Sequence, residues 1–398
     1  MSTILVTDAG RGSAVSAIRS LHAAGHRVIA ADSSRLSAGR WSRRCDGSFG
    51  YPDPIADPVA AGEALARIVD RAAVDVVLPV TDAVIQCLQR VGAALPPSTI
   101  VAAAPAHQLE QVCRKDLTLA LAERVGVPVP STVTVASAAE ARAAGDRLGW
   151  PVVVKPASST VAAGAALRKL EVRYAEGPDE LQRLVGDIAN VCPALLQEYC
   201  GGEGCGVEVL AHEGRIVAAF QHRRLREVPI TGGASSLRES MALDPELLAH
   251  TEVLIKELEW TGLAMVEFKL TPRGPRLMEI NGRLWGSLPL AVRAGVDFPA
   301  YYVRMLLDGA PPGPARIDSY TVGVRSRNVR LELLWAASVL RGGVATNVGV
   351  APPRWQGAAV GLGLLAPAAG YDILSWRDPL PGLVELASLI TKFGKGRR

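Results

Sequence analysis

Short apolar runs alternate with helical patterns through the first hundred residues of this 398-residue chain. Because strands that are separated by helices usually pair in parallel, the alternation predicts a parallel sheet with crossover helices. The apolar runs lie at residues 3–7, 27–31, 74–80 and 100–104, and the helical patterns lie at 10–22 and 60–72.

Length and composition limit the classes of protein to which the chain can belong. A chain of 398 residues exceeds a single hydrophobic core, so two or three domains are expected. Hydrophobic residues make up 49% and charged residues 21%, and the net charge is only +4, so we expect an ordinary globular protein without a nucleic-acid partner. We find neither a membrane-length apolar run nor a signal-peptide pattern, and therefore expect no membrane partner and a cytoplasmic location. The basic cluster at residues 392–398 is interpreted as a solvated terminus rather than an anionic-surface contact.

The middle of the chain changes from this alternation to a mixture of helices and longer strands. A helix is predicted at residues 107–124, and a small-residue loop is predicted at 157–166. Asp244 and Pro245 have the pattern of a helix start. The six cysteines form no C-x-x-C pair and are expected to be reduced, buried thiols. Strands are predicted at residues 151–156, 194–198, 207–211, 216–221, 263–270 and 275–280, with a further helix at 179–189.

Two neighbouring strands of this mixture each carry an acid among apolar residues. Alternation places Glu267 on the side opposite Val266, while Glu279 and Asn281 share a face of the next strand. A hairpin can bring Glu267 opposite this pair, and two facing carboxylates repel unless a cation lies between them. Carboxylate and amide oxygens suit Mg²⁺, so the hairpin predicts a magnesium site beside Arg283.

Two further segments carry candidate nucleotide-binding groups. Lys155 ends an apolar strand and needs a negative partner such as a phosphate, although a solvent-facing lysine is an equal alternative. Ser158 belongs to the loop that follows and could donate to the same phosphates. Glu203 lies in a glycine-rich turn after residues 197–200, where it could accept hydrogen bonds from ribose hydroxyls. Taken alone, each of these segments is a weak signal.

The order of these motifs resembles the ATP-grasp superfamily, in particular its carbamoyl-phosphate-synthase-like and biotin-carboxylase-like members. The resemblance covers about residues 1–310, and its strength lies in the order and spacing of the motifs. The motifs are Arg-Lys115-Asp, the strand lysine Lys155, Gln-Glu198-Tyr199, His222-Arg223-Arg224, Val-Glu267-Phe and Glu279-Ile-Asn281-Gly-Arg283.

The resemblance implies a role for each matched residue. Lys115, Lys155 and Ser158 would bind ATP phosphates, although the loop after Lys155 is poorer in glycine than the family lid usually is. The resemblance also implies that the remaining residues bind adenine and ribose (Glu198, Tyr199, Cys200, Glu203), metal (Glu267, Glu279, Asn281) or reacting anions (His222, Arg223, Arg224, Arg283).

The same resemblance implies a fold and a reaction. The fold class is mixed α/β and α+β, with a Rossmann-like preATP-grasp domain at residues 1–105, an ATP-grasp domain at 106–310 that includes a lid at 151–205, and a C-terminal extension at 311–398. ATP and two Mg²⁺ ions, which Mn²⁺ could replace, would activate a small-molecule carboxylate for attack by an amine. A homodimer is one assembly open to such a chain.

Three alternative functions stay open on the sequence. A carboxylase or carbamoyl-phosphate-type enzyme would use bicarbonate with the same residues. A non-catalytic nucleotide-binding module would keep ATP binding alone. An NAD-dependent oxidoreductase would use Gly10, Gly12 and Asp32, which partly match the dinucleotide fingerprint without its third glycine.

Overall fold

The structure is a computed structural model that describes residues 1–164, 166–313, 315–342, 348, 352–364 and 369–395. Among these residues, no helix is both long and apolar enough to cross a membrane. The side chains of the basic cluster at residues 392–398 lie outside the described part of the chain.

Five parallel strands form the first sheet, with neighbours in the order β3-β2-β1-β4-β5. This sheet confirms the predicted alternation, although β3 and α3 were not predicted. The strands are β1 (Thr3–Val6), β2 (Arg27–Asp32), β3 (Gly47–Gly50), β4 (Val76–Leu78) and β5 (Ile100–Val101). The helices are α1 (Gly12–Ala23), α2 (Pro58–Ala72) and α3 (Asp82–Arg90).

The single helix predicted at residues 107–124 is wrong, because two helices occupy this segment. They are α4 (Ala106–Cys113) and α5 (Lys115–Arg124). Arg114 between them is extended and forms an isolated bridge with Ser158. The N–H of Lys115 then donates to the carbonyl of Ala157 at 2.8 Å. A contact distant in sequence therefore breaks the helix and fixes Lys115 at the start of α5.

A four-stranded antiparallel sheet follows, in the order β10-β7-β11-β6. Its edge strand β6 and the helix α6, which packs on the sheet, both precede residue 151, where the predicted lid begins. The residues predicted as a loop form most of a hairpin instead, in which Leu167 donates its N–H to the carbonyl of Ile55 at 2.8 Å. The elements are β6 (Thr132–Val135), α6 (Ala138–Leu148), β7 (Val152–Pro156), the hairpin of β8 (Thr160–Ala163) and β9 (Ala166–Lys169), β10 (Arg173–Ala175), α7 (Pro178–Ala189) and β11 (Ala194–Glu198).

The third sheet has seven strands in the order β16-β15-β12-β13-β14-β17-β18. One of its faces packs on α8 (Pro245–Glu257), whose N-cap Asp244 accepts from the N–H groups of Glu246 and Leu247, as its sequence predicted. The strands are β12 (Glu203–His212), β13 (Arg215–Val228), β14 (Ala234–Met241), β15 (Gly262–Thr271), β16 (Gly274–Asn281), β17 (Arg325–Arg327) and β18 (Gly370–Tyr371).

The C-terminal segments join this sheet to the first one. Strands β17 and β18 form one edge of the seven-stranded sheet. Asp378 accepts hydrogen bonds from Arg19 of α1 at 2.9 Å and from Ser42, between β2 and β3, at 2.7 Å. Trp335 is buried, whereas Trp355 and Trp376 are 68% and 98% exposed, although a large apolar side chain usually indicates a core position. The remaining helices are α9 (Leu288–Ala294), α10 (Phe298–Asp308), α11 (Val329–Arg341), α12 (Arg354–Gly363) and α13 (Leu380–Lys395).

Candidate functional site

The β15–β16 hairpin places Glu267 directly opposite Glu279 in the antiparallel register. Val266 and Phe268, on either side of Glu267, are buried in the core beneath the sheet, so the two carboxylates lie on the other face. Asn281 shares that face and donates from Nδ2 to Oε1 of Glu279 at 3.1 Å. The three residues predicted as metal ligands are therefore neighbours on one surface.

Lys115 reaches this surface from the start of α5. Its Nζ lies 3.1 Å from Oε2 of Glu279 and 3.0 Å from Oγ of Ser159. Lys115 lowers the pKa of Glu279 to about 2, against the opposing effect of burial. Glu279 is therefore ionised at any physiological pH and already bonded to a cation.

Lys155, at the end of β7, is a second cation near the same carboxylate. Among the described residues none forms a side-chain hydrogen bond or ion pair with Lys155, in contrast to Lys115. Burial lowers the pKa of Lys155 to about 8, although the charge of Glu279 opposes this shift. A half-buried lysine without a bonded acid is suited to a ligand that brings its own negative charge.

This pKa predicts how nucleotide binding depends on pH. Lys155 is protonated below about pH 8, and phosphates bind the protonated form. Above that pH, binding must return a proton to Lys155, so ADP affinity should fall by up to about tenfold per pH unit. Calorimetric titration with Mg–ADP between about pH 7 and 9.5, in buffers of different ionisation enthalpy, measures both the affinity and the proton uptake.

The matched variant for this titration is Lys155→Arg, which keeps the charge at all of these pH values. Its affinity should be flat across the range, whatever its absolute value. A wild-type affinity that is equally flat would remove Lys155 from the phosphate site.

Arg224 neutralises the other acid of the hairpin. Its Nη1 and Nη2 lie 2.6 and 2.5 Å from the carboxylate oxygens of Glu267, and Nη1 also contacts Glu227 at 3.1 Å. The side chain is only 7% exposed. Glu227 in turn accepts from Lys269 at 3.1 Å, so the acids and cations here alternate in a continuous network.

Arg223 does not share this face, although the sequence grouped it with His222 and Arg224. The register pairs Arg223 with Cys205 and Cys205 with Phe268, whose side chain belongs to the core. Arg223 instead binds Glu239 at 2.6 Å on the far side of the sheet. Strand alternation therefore separates Arg223 from its two sequence neighbours.

His222 lies on the same face as Glu267 but is enclosed. Its Nδ1 is 3.0 Å from Oε1 of Glu208, which also accepts from Ser287 at 2.6 Å, and the His222 side chain is buried. The ring occupies the space above Gly206, where an added Cβ would come within 2.5 Å of it. The His222–Glu208 pair is therefore buried, and neither side chain is accessible to a ligand at the surface.

Arg283 connects the hairpin to the first sheet. Its Nε lies 3.0 Å from Oδ2 of Asp82 at the start of α3, and its Nη2 donates to Oδ1 of Asn281 at 3.0 Å. Asp82 follows β4 at the carboxyl edge of the parallel sheet, an edge where ligands of such sheets bind. Arg283 thus lies where the first sheet meets the β15–β16 hairpin.

The predicted adenine segment lies at the end of β11. Glu198 accepts from the N–H of Ser131 at 3.1 Å and pairs with Arg273 at 3.2 Å, so its carboxylate is engaged. The Tyr199 ring packs edge-on against Tyr174, and Cys200 follows at the strand end. Glu203 is exposed and lies 3.8 Å from Arg223, on the side of the sheet away from Glu267. Ser158 bridges to Arg114 through backbone atoms, and Ser159 rather than Ser158 meets Lys115.

Known proteins share both sequence and fold with this chain. A family model described as ATP-grasp in the biosynthetic pathway with Ter operon matches residues 190–328. The chain is 26% identical over 216 residues to the multifunctional protein pyrABCN of Emericella nidulans, and 25% identical over 198 residues to the carbamoyl phosphate synthase large chain of Pyrococcus furiosus. These matches take in 51% and 48% of the chain but only 9% and 18% of the relatives, so the chain spans less than a fifth of either one.

Solved structures extend the similarity over most of the chain. Biotin carboxylase from Campylobacter jejuni superimposes with a TM-score of 0.66 at 17% identity, covering 81% of this chain and 74% of that one. The chain therefore has the ATP-grasp fold, and its residues 190–328 match an ATP-grasp family model. An L-amino acid ligase from Bacillus licheniformis has the same fold, with a TM-score of 0.56, 14% identity, and coverage of 77% of this chain and 74% of its own. The predicted fold class is therefore confirmed.

The β15–β16 hairpin has a donor set that fits Mg²⁺. The described ranges contain no group of three or more His, Cys, Asp or Glu side chains that could hold a metal ion by themselves. Glu267 and Glu279 would offer two carboxylates and Asn281 an amide oxygen, and water and phosphate would complete such a site. Mg²⁺ characteristically binds through one or two carboxylates together with substrate phosphates.

Sequence reasoning missed three residues of this site, namely Asp82, Glu208 and Glu227. Asp82 could have been found, because an acid directly after a strand of a parallel sheet points to the binding edge. Ser159 had the same signal as Ser158, and only the hairpin distinguishes them. Glu208 and Glu227 are single acids in apolar or basic surroundings, and their partners are set by strand pairing that no local pattern encodes.

Proposed function

We propose that the chain is an ATP-dependent ligase that activates a carboxylate as an acyl phosphate and joins it to an amine. The observation that carries this proposal is the pairing of Glu267 with Glu279 on the face that Lys115 and Lys155 also approach. Two acids beside two lysines complement a metal–phosphate group, in which the metal faces the carboxylates and the phosphate oxygens face the ammonium groups.

In the first step a carboxylate oxygen attacks the γ-phosphorus of ATP, and the bond from that phosphorus to the β–γ bridging oxygen breaks to release ADP. Lys115 and Lys155 would hold phosphate oxygens, while Glu267, Glu279 and Asn281 would hold Mg²⁺. When bound, the metal would neutralise the charge that develops on the transferred group. Arg224 and Arg283 flank the metal residues and would orient the two carboxylate oxygens.

In the second step the amine nitrogen attacks the acyl carbon, the bond from that carbon to the phosphate oxygen breaks, and phosphate leaves. The nitrogen loses a proton as the amide forms. Arg283 lies at the junction with Asp82, so the amine would enter from the first sheet. The β8–β9 hairpin, which contacts Ile55 through Leu167, would exclude water from the acyl phosphate.

The alternatives find less support in the geometry. Oδ2 of Asp32, which an NAD-binding protein would offer to ribose, accepts from the N–H of Gly10 at 2.8 Å and from Ser37 at 3.0 Å. A protein that only binds nucleotide would not require a cation beside each of the two acids, Glu267 and Glu279. We also propose a cytoplasmic location, a homodimer, two metal ions with Mn²⁺ as a substitute, and domains at residues 1–105, 106–310 and 311–398.

The decisive experiment is an ADP-release screen of paired carboxylic acids and amines, with bicarbonate as a separate arm. A ligase should release ADP only when a matching carboxylate is present, and the amide mass should appear in step with ADP. ADP release with bicarbonate alone would assign a carboxylase or carbamoyl-phosphate-type reaction instead. Nucleotide binding without release across the panel would leave the non-catalytic module.

A further inference from the structure

The exposed side of α13 is apolar, which is unusual for a helix at the surface. Leu380, Leu383 and Leu386 recur every third residue and are all exposed, and Leu383 keeps 56% of its surface. The acid of this helix, Glu385, is partly buried, and burial raises its pKa to about 7. A surface helix normally turns its charged residues outward, so this side is built to contact something other than water.

Two tryptophans extend this apolar surface beyond the helix. Trp376 lies just before α13 and is 98% exposed, and Trp41 is 49% exposed at the end of a short turn that packs against α13. Asp378 holds the two segments together, since it accepts from Oγ of Ser42 at 2.7 Å and from the N–H of Arg43 at 3.0 Å. We call this surface the C-terminal face; it comprises Trp41, Trp376, Leu380, Leu383 and Leu386.

The C-terminal face has a positively charged border. Arg43, Arg44 and Arg377 are exposed next to its two tryptophans, and within the described residues none has an ion-pair partner. Asp378 is buried and bonded, so it does not offset them at the surface.

We propose that the C-terminal face docks on an anionic lipid surface. Exposed tryptophan and leucine beside arginine is the composition of helices that lie in the plane of a membrane interface. The arginines supply electrostatic attraction to acidic headgroups, and the apolar side chains supply insertion, so the two signals needed for stable attachment are both present. A second copy of this chain is a poorer occupant, because symmetric pairing would bring the same arginines face to face.

Docking in this way is independent of the proposed ligase reaction. The face is formed by α13 and the segment around Trp41, and none of its residues contacts Glu267, Glu279 or the two lysines. Loss of docking should therefore leave nucleotide binding unchanged, and failure of the ligase proposal would leave docking intact.

The test is cosedimentation of the full chain with vesicles of phosphatidylcholine, alone or with one third phosphatidylserine. We expect binding to the acidic vesicles only, weakening as salt is raised. Trp376→Ala with Leu383→Ser should weaken binding by about tenfold or more, and replacing Arg43 and Arg44 by Gln should cost about fivefold per arginine. Mg–ADP affinity and melting temperature report whether each variant is folded.

The matched control uses exposed apolar residues outside the face. Trp355 and Leu362 of α12 are 68% and 74% exposed, and Trp355→Ala with Leu362→Ser should bind vesicles as the wild type does. Equal binding by both double variants, or no binding to acidic vesicles, would overturn the proposal. A dimer in sedimentation equilibrium that only the Trp376–Leu383 variant dissociates would assign the face to self-association instead.

Discussion

Glu279→Gln should lower the rate of ADP release by about 10² to 10³-fold, because it removes one charged ligand from a preorganised electrostatic site. Glu279 lies opposite Glu267, accepts from Asn281 and faces Lys115 at 3.1 Å. Glutamine keeps the size and one acceptor oxygen but loses the negative charge. Mg–ADP affinity should fall by about tenfold, whereas ADP affinity in EDTA should hold or rise, since Lys115 is released from its acid.

This opposite response to metal separates a metal ligand from a structural acid. The matched control is Glu257→Gln on α8, whose carboxylate pairs with Arg124 at 2.7 Å on the surface. That variant should leave turnover and both affinities unchanged. If Glu279→Gln weakened ADP equally with and without Mg²⁺, Glu279 would be a support for Lys115 rather than a metal ligand.

The β15–β16 hairpin was predictable because the sequence signals that specify it are all local. Alternation of apolar residues separates Glu267 from Val266 and Phe268, and a short turn at residues 271–274 joins the two strands. Four strands of the first sheet were predictable for the same reason, since each is a local apolar run, whereas β3 was not predicted. Local patterns specify which face a side chain occupies within a strand.

Features that depend on distant contacts were not predictable in this way. The break at Arg114 arises from the bridge to Ser158, and the hairpin after Lys155 contacts Ile55, more than a hundred residues away, through the N–H of Leu167. Trp376 shows the same limit at the surface, because its apolar side chain indicates a core position but its neighbours leave it 98% exposed. Arg223 is the instructive case: adjacency in a motif placed it with Arg224, although alternation puts consecutive residues of a strand on opposite faces.

Arg224→Gln should have effects of opposite sign on metal binding and on catalysis. In the free protein the guanidinium occupies Glu267 through two contacts, at 2.5 and 2.6 Å. Removing the guanidinium frees the carboxylate of Glu267 for a metal ion. The affinity for Mn²⁺ without nucleotide should therefore rise by about tenfold, which corresponds to the free energy of one partly buried ion pair. Turnover should nevertheless fall by about 10²-fold or more, because the same guanidinium is proposed to bind the reacting carboxylate. Mn²⁺ titration followed by electron paramagnetic resonance measures the first effect and ADP release the second.

The adjacent arginine is the control for this experiment. Arg223→Gln removes an equal charge one residue away, but from the face where Arg223 binds Glu239 at 2.6 Å. Mn²⁺ affinity should not change in that variant, whereas a general loss of positive charge would raise it in both. A fall in Mn²⁺ affinity in Arg224→Gln, in parallel with a lower melting temperature, would mean that Arg224 only supports the hairpin. The predicted rise instead implies that Mg²⁺ and Arg224 compete for Glu267, so metal–nucleotide binding would free the guanidinium for the substrate carboxylate and would precede it.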